Sequence, residues 1–189
     1  MNPILNIIIL TIAIIGLLWY FVPIFAGIPW VPTKENRIRK ALCLADLKPG
    51  EVLFDLGSGD GRVPIIAART FDACGIGIEI SPLHCLLALY HIWRAGLRKR
   101  VSIRWLNYYR VDLSRADVIY FYGHSRFVEK LKRHLDGKLK DGARVISIGA
   151  DFSGWQPEKM DKENLIFVYR MPPTPGDVTS FMMKEASLD

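Results

Sequence analysis

The segment FDLGSGDGRV, residues 54–63, constrains the fold of this chain more than any other stretch. It ends a short apolar run with glycines at positions 57, 59 and 61, and a helical pattern begins directly after it. Glycine permits a sharp turn and lets the backbone approach a ligand closely. A strand, a glycine-rich turn and a helix in this order predict an α/β protein whose turn holds a ligand.

Apolar runs of strand length alternate with amphipathic stretches through most of the chain. Strands are predicted at 51–56, 74–80, 101–106, 116–122 and 142–150, and helices at 34–47, 61–70, 81–97 and 125–135. This alternation predicts a doubly wound parallel sheet of the Rossmann-like kind. The runs 164–171 and 177–185 are joined by PPTPG, a strong turn signal, which predicts a C-terminal antiparallel hairpin and a sheet of seven strands.

The first 33 residues carry no charged side chain, although the whole chain has 25 Lys and Arg and 19 Asp and Glu. Residues 4–22 are apolar apart from Asn6 and Thr11, and a helix of that length spans about 28 Å, close to the hydrocarbon thickness of a bilayer. We therefore expect a transmembrane anchor in 1–30 and a folded domain at 34–189. Basic residues follow the span directly, which predicts a single-pass membrane protein with its domain on the cytoplasmic side, or on the matrix side in a mitochondrion.

The acidic character of the glycine-rich turn indicates which ligand it binds. A dinucleotide-binding turn needs a third glycine or alanine where this chain has Arg62, and a phosphate-binding P-loop needs a Gly-Lys pair that is missing. Asp55 and Asp60 would repel a pyrophosphate but attract S-adenosylmethionine, which carries a sulfonium and an ammonium group. Glu79 lies near the end of the second predicted strand, where a carboxylate accepts hydrogen bonds from ribose hydroxyls.

The stretches VLFDLGSGDGR and GIGIEISP resemble motif I and the acidic motif that follows it in class I S-adenosylmethionine-dependent methyltransferases. Over residues 20–157 the chain is more specifically similar to a membrane-anchored family of protein-lysine methyltransferases, whose known members modify the mitochondrial ADP/ATP carrier and the c subunit of ATP synthase. The apolar N-terminus followed by VPT at 31–33, and the later GWQP at 154–157, are the specific parts of this resemblance.

The resemblance implies a set of cofactor-binding residues. The loop beneath the methionine and ribose would be formed by Asp55, Gly57, Ser58, Gly59, Asp60 and Gly61. Glu79 would hold the ribose and Ile80 would lie beside the adenine. Asn107 stands where such enzymes often have an aspartate near the adenine amino group, and its carbonyl can accept the same hydrogen bond.

Candidates for the chemical step follow the fourth and fifth predicted strands, at the carboxyl edge of the sheet where ligands bind. They are Tyr122, Asp151 and Trp155, of which Trp155 is equally well explained as a core aromatic. An acidic or aromatic wall helps a lysine nucleophile, because the amine must be neutral to attack. The expected acceptor is a lysine of a membrane protein.

Other functions remain open from the sequence. RNA could bind the basic run 94–104, but YGHS follows the fourth strand in place of the motif that holds a planar base, so a nucleic-acid acceptor is not expected. The acceptor could instead be a small molecule or a lipid, or the chain could be a non-catalytic module that binds the cofactor. The histidines and cysteines show no ligand spacing, so no metal site is predicted, and the odd number of cysteines is typical of a reduced compartment.

Overall fold

The computed structural model describes residues 2–25, 32–123 and 125–186. Within these residues the helices are α1 (Pro3–Phe25), α2 (Glu35–Leu44), α3 (Arg62–Phe71), α4 (Pro82–Arg94), α5 (Ser125–Leu135) and α6 (Val178–Ala186). The strands are β1 (Val52–Leu56), β2 (Cys74–Glu79), β3 (Val101–Trp105), β4 (Val118–Tyr122), β5 (Arg144–Ile148), β6 (Lys159–Asp161) and β7 (Ile166–Arg170). A 3₁₀ turn covers Tyr108–Arg110.

The strands form one seven-stranded sheet in the order β3-β2-β1-β4-β5-β7-β6. The first five strands of the chain run parallel, whereas β7 is antiparallel to both β5 and β6. The predicted doubly wound sheet of seven strands is therefore confirmed. Its chain order reverses between the neighbours β1 and β4, and ligands bind at such a reversal beyond the carboxyl ends of the strands.

Two glycines in β2 let the sheet and α3 approach each other closely. A Cβ built on Gly75 would lie 2.5 Å from Pro64 Cβ, and one on Gly77 would lie 2.6 Å from Ser58 Oγ. Real Cβ atoms do not tolerate such distances, so only glycine fits at both positions. The run CGIGIE thus fixes both the packing of α3 and the position of the loop that precedes it.

The predicted C-terminal hairpin is wrong in one of its strands. The run 164–171 does form β7, but 177–185 lies largely in α6. The helix begins there because Asp177 Oδ1 accepts hydrogen bonds from Ser180 N at 2.7 Å and from Ser180 Oγ at 2.8 Å, which caps the first turn. The strand that pairs with β7 precedes it instead, as the three-residue β6.

The predicted transmembrane anchor at 4–22 is also wrong. In the part of the chain that the structure describes, no helix combines the length and the apolarity that crossing a bilayer requires, about 20 consecutive apolar residues. The single-pass membrane localisation that depended on this anchor is therefore wrong as well. Of the predicted segment 1–30, Met1 and residues 26–30 lie outside the described residues.

Candidate active site

A cavity of about 310 Å³ opens at the carboxyl edge of the sheet, above the ends of β1, β2 and β4. Its wall combines the glycine loop, the end of β2, the turn after β3, and side chains from β4, α4, α5 and the segment before α2. The lining residues are Pro32, Thr33, Asp55, Gly57, Ser58, Asp60, Arg62, Val63, Ile78, Glu79, Ile80, His84, Asn107, Tyr108, Tyr109, Tyr120, Tyr122, Phe127 and Lys130.

Glu79 organises the backbone around the cavity. Its Oε2 accepts a hydrogen bond from Gly59 N at 2.8 Å, and its Oε1 accepts from Ile80 N at 2.9 Å and Ser81 N at 2.8 Å. The side chain is buried, with 6% of its surface exposed. Since an ionised carboxylate has room for about four hydrogen bonds, Glu79 joins the glycine loop to the start of α4 and retains about one acceptor position for a ligand.

Arg62 closes the other side of the glycine loop. Its guanidinium pairs with Asp60, with Nη2 at 2.6 Å from Oδ2 and Nε at 2.9 Å from Oδ1, and its Nη1 donates to Thr33 O at 3.0 Å. Burial alone would raise the pKa of Asp60, but the hydrogen bonds and charge of Arg62 outweigh it and hold that pKa below its usual value. The residue that breaks the dinucleotide pattern thus keeps Asp60 ionised and ties the segment before α2 to the loop.

Asp55 behaves differently from Asp60. Burial raises its pKa well above the usual value, and the neighbouring charges of Glu79 and Asp60 raise it further. No residue in the described part of the chain forms a hydrogen bond with its carboxyl group, which lies in the cavity wall. A buried carboxylate without a partner favours a cationic ligand, because the ligand's charge relieves the cost of ionisation.

The residues present fit S-adenosylmethionine. Ser58 Oγ is buried in the loop and has no hydrogen-bonding partner among the described residues, so it is available to a ligand. Gly57 has a φ of +92°, and no atom lies within 4 Å of a Cβ built on it, which leaves open space next to the backbone. The acidic groups of the loop suit a ligand that carries a net positive charge.

Most of the predicted cofactor residues come together at this cavity. Asp55, Gly57, Ser58, Asp60, Glu79, Ile80 and Asn107 line it, and Gly59 and Gly61 belong to the same loop. Asn107 Oδ1 already accepts a hydrogen bond from Tyr109 N at 3.0 Å, so it caps the 3₁₀ turn and has one lone pair left for a ligand. Of the predicted catalytic residues, Tyr122 lines the cavity at the end of β4.

Asp151 and Trp155 are not among the residues that line the cavity. Trp155 is 6% exposed and packs in the core, with its ring 5.0 Å from that of Phe152 and 5.9 Å from that of Tyr169. The interpretation of Trp155 as a core aromatic therefore agrees with its position in the structure.

Sequence reasoning missed several residues of the wall. Tyr120 precedes Tyr122 by two positions, and alternate residues of a strand share one face, so the pattern YFY contained a signal that both tyrosines reach the same side. Tyr108 and Tyr109 directly follow the predicted adenine-binding residue Asn107, and this adjacency was a signal for both. Thr33 and Lys130 come from other elements; Thr33 belongs to the VPT stretch of the family resemblance, which gave it no role in the site, and no local pattern pointed to Lys130.

The sheet order, the acidic glycine loop and the cavity above it define the fold of a class I methyltransferase. The sequence profile described as "ANTKMT methyltransferase domain" matches residues 55–159, more than half of the chain. A protein named protein-lysine N-methyltransferase from Saccharolobus islandicus (strain REY15A) is 36% identical over 136 residues, which are 71% of this chain and 84% of that protein. The chain belongs to this methyltransferase family, and its cofactor is S-adenosylmethionine.

Animal relatives are named for their substrates. The lysine N-methyltransferase of the ATP synthase c subunit from Xenopus laevis is 28% identical over 143 residues, 75% of this chain and 62% of that protein. The adenine nucleotide translocase lysine N-methyltransferase of Mus musculus is 30% identical over 136 residues, 72% of this chain and 59% of that protein. The chain thus spans about three fifths of the length of these animal relatives.

Solved structures agree on the fold. One titled as an RNA methyltransferase from Salinibacter ruber in complex with S-adenosyl-L-homocysteine has a TM-score of 0.70 and 37% identity, and the match covers 78% of this chain and 96% of that chain. A methyltransferase from Geobacter sulfurreducens in complex with the same ligand has a TM-score of 0.54 at 20% identity, covering 69% of this chain and 52% of that one, and shows the fold alone.

Proposed function

We propose that this chain transfers a methyl group from S-adenosylmethionine to the side-chain amine of a lysine in a protein. The observation that carries the proposal is the wall at the end of β4, where Tyr120 pairs with Asp55 and Tyr122 lines the same cavity two residues further along the strand. Such a wall is apolar enough to accept an aliphatic chain and has polar groups for the amine at its end. The family relatives named for lysine methylation support the same acceptor.

Different residues of the chain contact the cofactor and the acceptor lysine. S-Adenosylmethionine supplies a methyl group already activated for attack by a neutral amine. Asp55 and Asp60 offer negative charge to its cationic end, Glu79 holds the loop and the ribose, and Ile80 borders the adenine. Tyr122 forms the mouth of the acceptor side, and positioning of the nucleophile accounts for much of the rate in such a displacement.

The finer proposal is that the acceptor lysine belongs to a membrane protein. It rests on the relatives named for the ATP synthase c subunit and for the adenine nucleotide translocase, which are the substrates of those proteins. This acceptor does not require the enzyme itself to be attached to a bilayer, since the substrate protein can lie in the membrane.

RNA is the second candidate acceptor, because the structure from Salinibacter ruber is titled an RNA methyltransferase. The positions of Arg98 and Lys99 in the basic run 94–104 do not favour RNA. This run begins at the end of α4 and leads into β3, so Arg98 and Lys99 lie at the amino edge of the parallel sheet. The cavity lies at the carboxyl edge, so these side chains are not placed to guide RNA into it.

The proposal is tested by methylating extracts of a strain from which the gene has been deleted. The purified chain and labelled S-adenosylmethionine are incubated with membrane protein, soluble protein, RNA and lipid fractions, and labelled sites are mapped by mass spectrometry. We expect label on lysine, predominantly in the membrane protein fraction. The matched control is Gly59→Val, which distorts the glycine loop because Gly59 has a φ of +52° that valine does not readily adopt. Label on RNA or lipid, or no label with any fraction, contradicts the proposal.

A further inference from the structure

Tyr120 carries a buried hydroxyl group that the fold itself does not use. Its side chain is 1% exposed, it forms part of the cavity wall, and no residue in the described part of the chain completes a hydrogen bond with its oxygen. Buried hydroxyls are normally hydrogen-bonded, so an exception next to a ligand cavity needs a partner from elsewhere. The adjacent ligand is the natural source of that partner.

The surroundings of Tyr120 limit what the partner can be. In the sheet Tyr120 is paired with Asp55, so the two side chains lie on the same face of neighbouring strands. Burial raises the pKa of Tyr120, and the Asp55 charge raises it further, so the hydroxyl remains neutral. Thr33 and Arg37 approach from the chain before and within α2, and Thr33 is near enough to lower that pKa without completing a hydrogen bond.

Tyr122 continues the same strip of wall toward the cavity mouth. It follows Tyr120 by two residues on β4 and is only partly buried, so its ring is accessible where that of Tyr120 is not. Arg37 fixes the Tyr122 ring: the guanidinium lies 5.5 Å from the ring centroid and is held by Asn164 O, at 2.9 Å from Nε. The strip thus has a fixed aromatic outer part and a polar inner end.

We propose that the Tyr120 hydroxyl binds the amine nitrogen of the acceptor lysine, with the aliphatic chain of that lysine packed along Tyr122. An amine N–H donates to the tyrosine oxygen, which leaves the nitrogen lone pair free to face the methyl group. This inference rests on the proposed lysine methylation and adds to it a contact that would align the nucleophile.

The chemistry of the strip favours an amine over other groups. The Tyr120 oxygen has no hydrogen-bonding partner among the described residues, and an amine supplies N–H donors. The neighbouring Asp55 carboxyl favours a positively charged or strongly polarised donor. The positive charge of Arg37, which acts on Tyr120, is directed to Asn164 O, so it does not take the place of the ligand. The cofactor's own ammonium has the same chemistry, so the experiment must separate the two sources.

The test measures binding of n-butylamine, which mimics a lysine side chain, to protein saturated with S-adenosylhomocysteine. Ligand-observed NMR gives the amine affinity, and calorimetry gives the affinity for S-adenosylhomocysteine, so neither readout depends on activity. We expect Tyr120→Phe to weaken amine binding at least fivefold while cofactor affinity stays within twofold. Tyr169→Phe is the matched control, because Tyr169 is also buried but its hydroxyl accepts from Phe152 N at 2.9 Å, away from the cavity.

Three outcomes overturn the inference. They are equal amine binding by wild type and Tyr120→Phe, no amine binding by the wild type, and a loss of cofactor affinity in Tyr120→Phe of more than twofold, which would assign the hydroxyl to the cofactor. Failure of the proposed function is recognised separately, because it appears as missing lysine label in the wild-type protein. Thermal unfolding of each variant establishes that both remain folded.

Discussion

At the residue scale, the protonation state of Asp55 affects both the stability of the fold and the binding of the cofactor. Burial raises its pKa above the ordinary value of 3.8, so the folded chain holds a proton there that the unfolded chain has released. Stability therefore falls as the pH rises from about 3.8 toward the folded pKa. A cationic cofactor lowers the pKa of Asp55 again, because its charge favours the ionised carboxylate. Cofactor binding should therefore release a proton.

We expect calorimetry in two buffers of different ionisation enthalpy to detect this proton release when S-adenosylmethionine binds. The release should be greatest just below the folded pKa of Asp55 and vanish well above it. Asp55→Asn should abolish the release and weaken binding about 10- to 100-fold, the scale of a hydrogen bond to a charged group. Asp136→Asn, an exposed change at the end of α5, should behave like wild type. Unchanged proton release in Asp55→Asn would assign the titration to another group.

Glu79 stabilises the cofactor-binding loop through hydrogen bonds to backbone N–H groups, in addition to any contact with the ligand. Glu79→Gln keeps the size of the side chain but turns an acceptor into an amide donor, so at least one of the bonds from Gly59, Ile80 and Ser81 is lost. We expect unfolding free energy to fall by about 1–3 kcal/mol and cofactor affinity to fall with it. Thermal unfolding and calorimetry measure the two effects, and Glu129→Gln on the exposed side of α5 is the control. Loss of affinity at unchanged stability would restrict Glu79 to ligand contact.

At the element scale, β2 is the strand that sets the position of the cofactor loop. Gly75 faces Pro64, with a built Cβ only 2.7 Å from Pro64 Cα, whereas Gly77 faces the side chain of Ser58. Gly75 therefore determines how closely α3 packs on the sheet, and Gly77 determines where the loop lies. The two positions are on one face of one strand, which makes them a matched pair.

We expect Gly75→Ala and Gly77→Ala each to lower the unfolding free energy by about 1–3 kcal/mol, the usual cost of overpacking. Gly77→Ala should in addition weaken S-adenosylmethionine binding, since Ser58 must move away from its buried position in the loop. Chemical denaturation and calorimetry give the two quantities. The assignment of helix packing to Gly75 and of loop position to Gly77 is contradicted if both variants bind cofactor equally, or if Gly75→Ala weakens binding more than Gly77→Ala.

Local patterns predicted the elements that local chemistry determines. The turn after β1, the five parallel strands and the helices between them follow from glycine positions and hydrophobic period. The C-terminal elements did not, because three residues of β6 are too few to show a period and because the cap at Asp177 outweighs the strand-like composition of the run after it. The anchor was inferred from the length and apolarity of residues 4–22 and from the basic residues that follow, and these features did not establish a membrane-spanning helix.

The candidate site was predictable where one segment supplies it and not where segments meet. The acidic loop and Glu79 could be assigned a ligand from charge and spacing. The contact of Arg62 with Thr33 and the pairing of Tyr120 with Asp55 join distant parts of the chain. Long-range contacts of this kind depend on strand order, and one sequence does not encode them in a local pattern.

At the scale of the whole molecule, the cavity and the basic residues Arg98 and Lys99 lie at opposite edges of the sheet. All the lining elements converge at the carboxyl ends of β1, β2 and β4, whereas Arg98 and Lys99 precede β3 at its amino end. Both side chains are exposed, and Arg98 lies 6.0 Å from the ring centroid of Trp93, on the surface of α4. Their charge is thus remote from the point where an acceptor must enter.

This separation predicts how neutralising Arg98 and Lys99 affects the reaction. The double variant Arg98→Gln with Lys99→Gln should methylate the mapped protein lysine with kcat/KM within about twofold of wild type, because exposed charges beyond about 8–10 Å are largely screened at physiological salt. Steady-state transfer of labelled methyl groups at two ionic strengths measures this. An RNA acceptor would give the opposite result, since each lost phosphate contact weakens binding and lowers its salt dependence. A drop of tenfold or more that disappears at high salt would contradict this prediction and place Arg98 and Lys99 in the acceptor-binding surface.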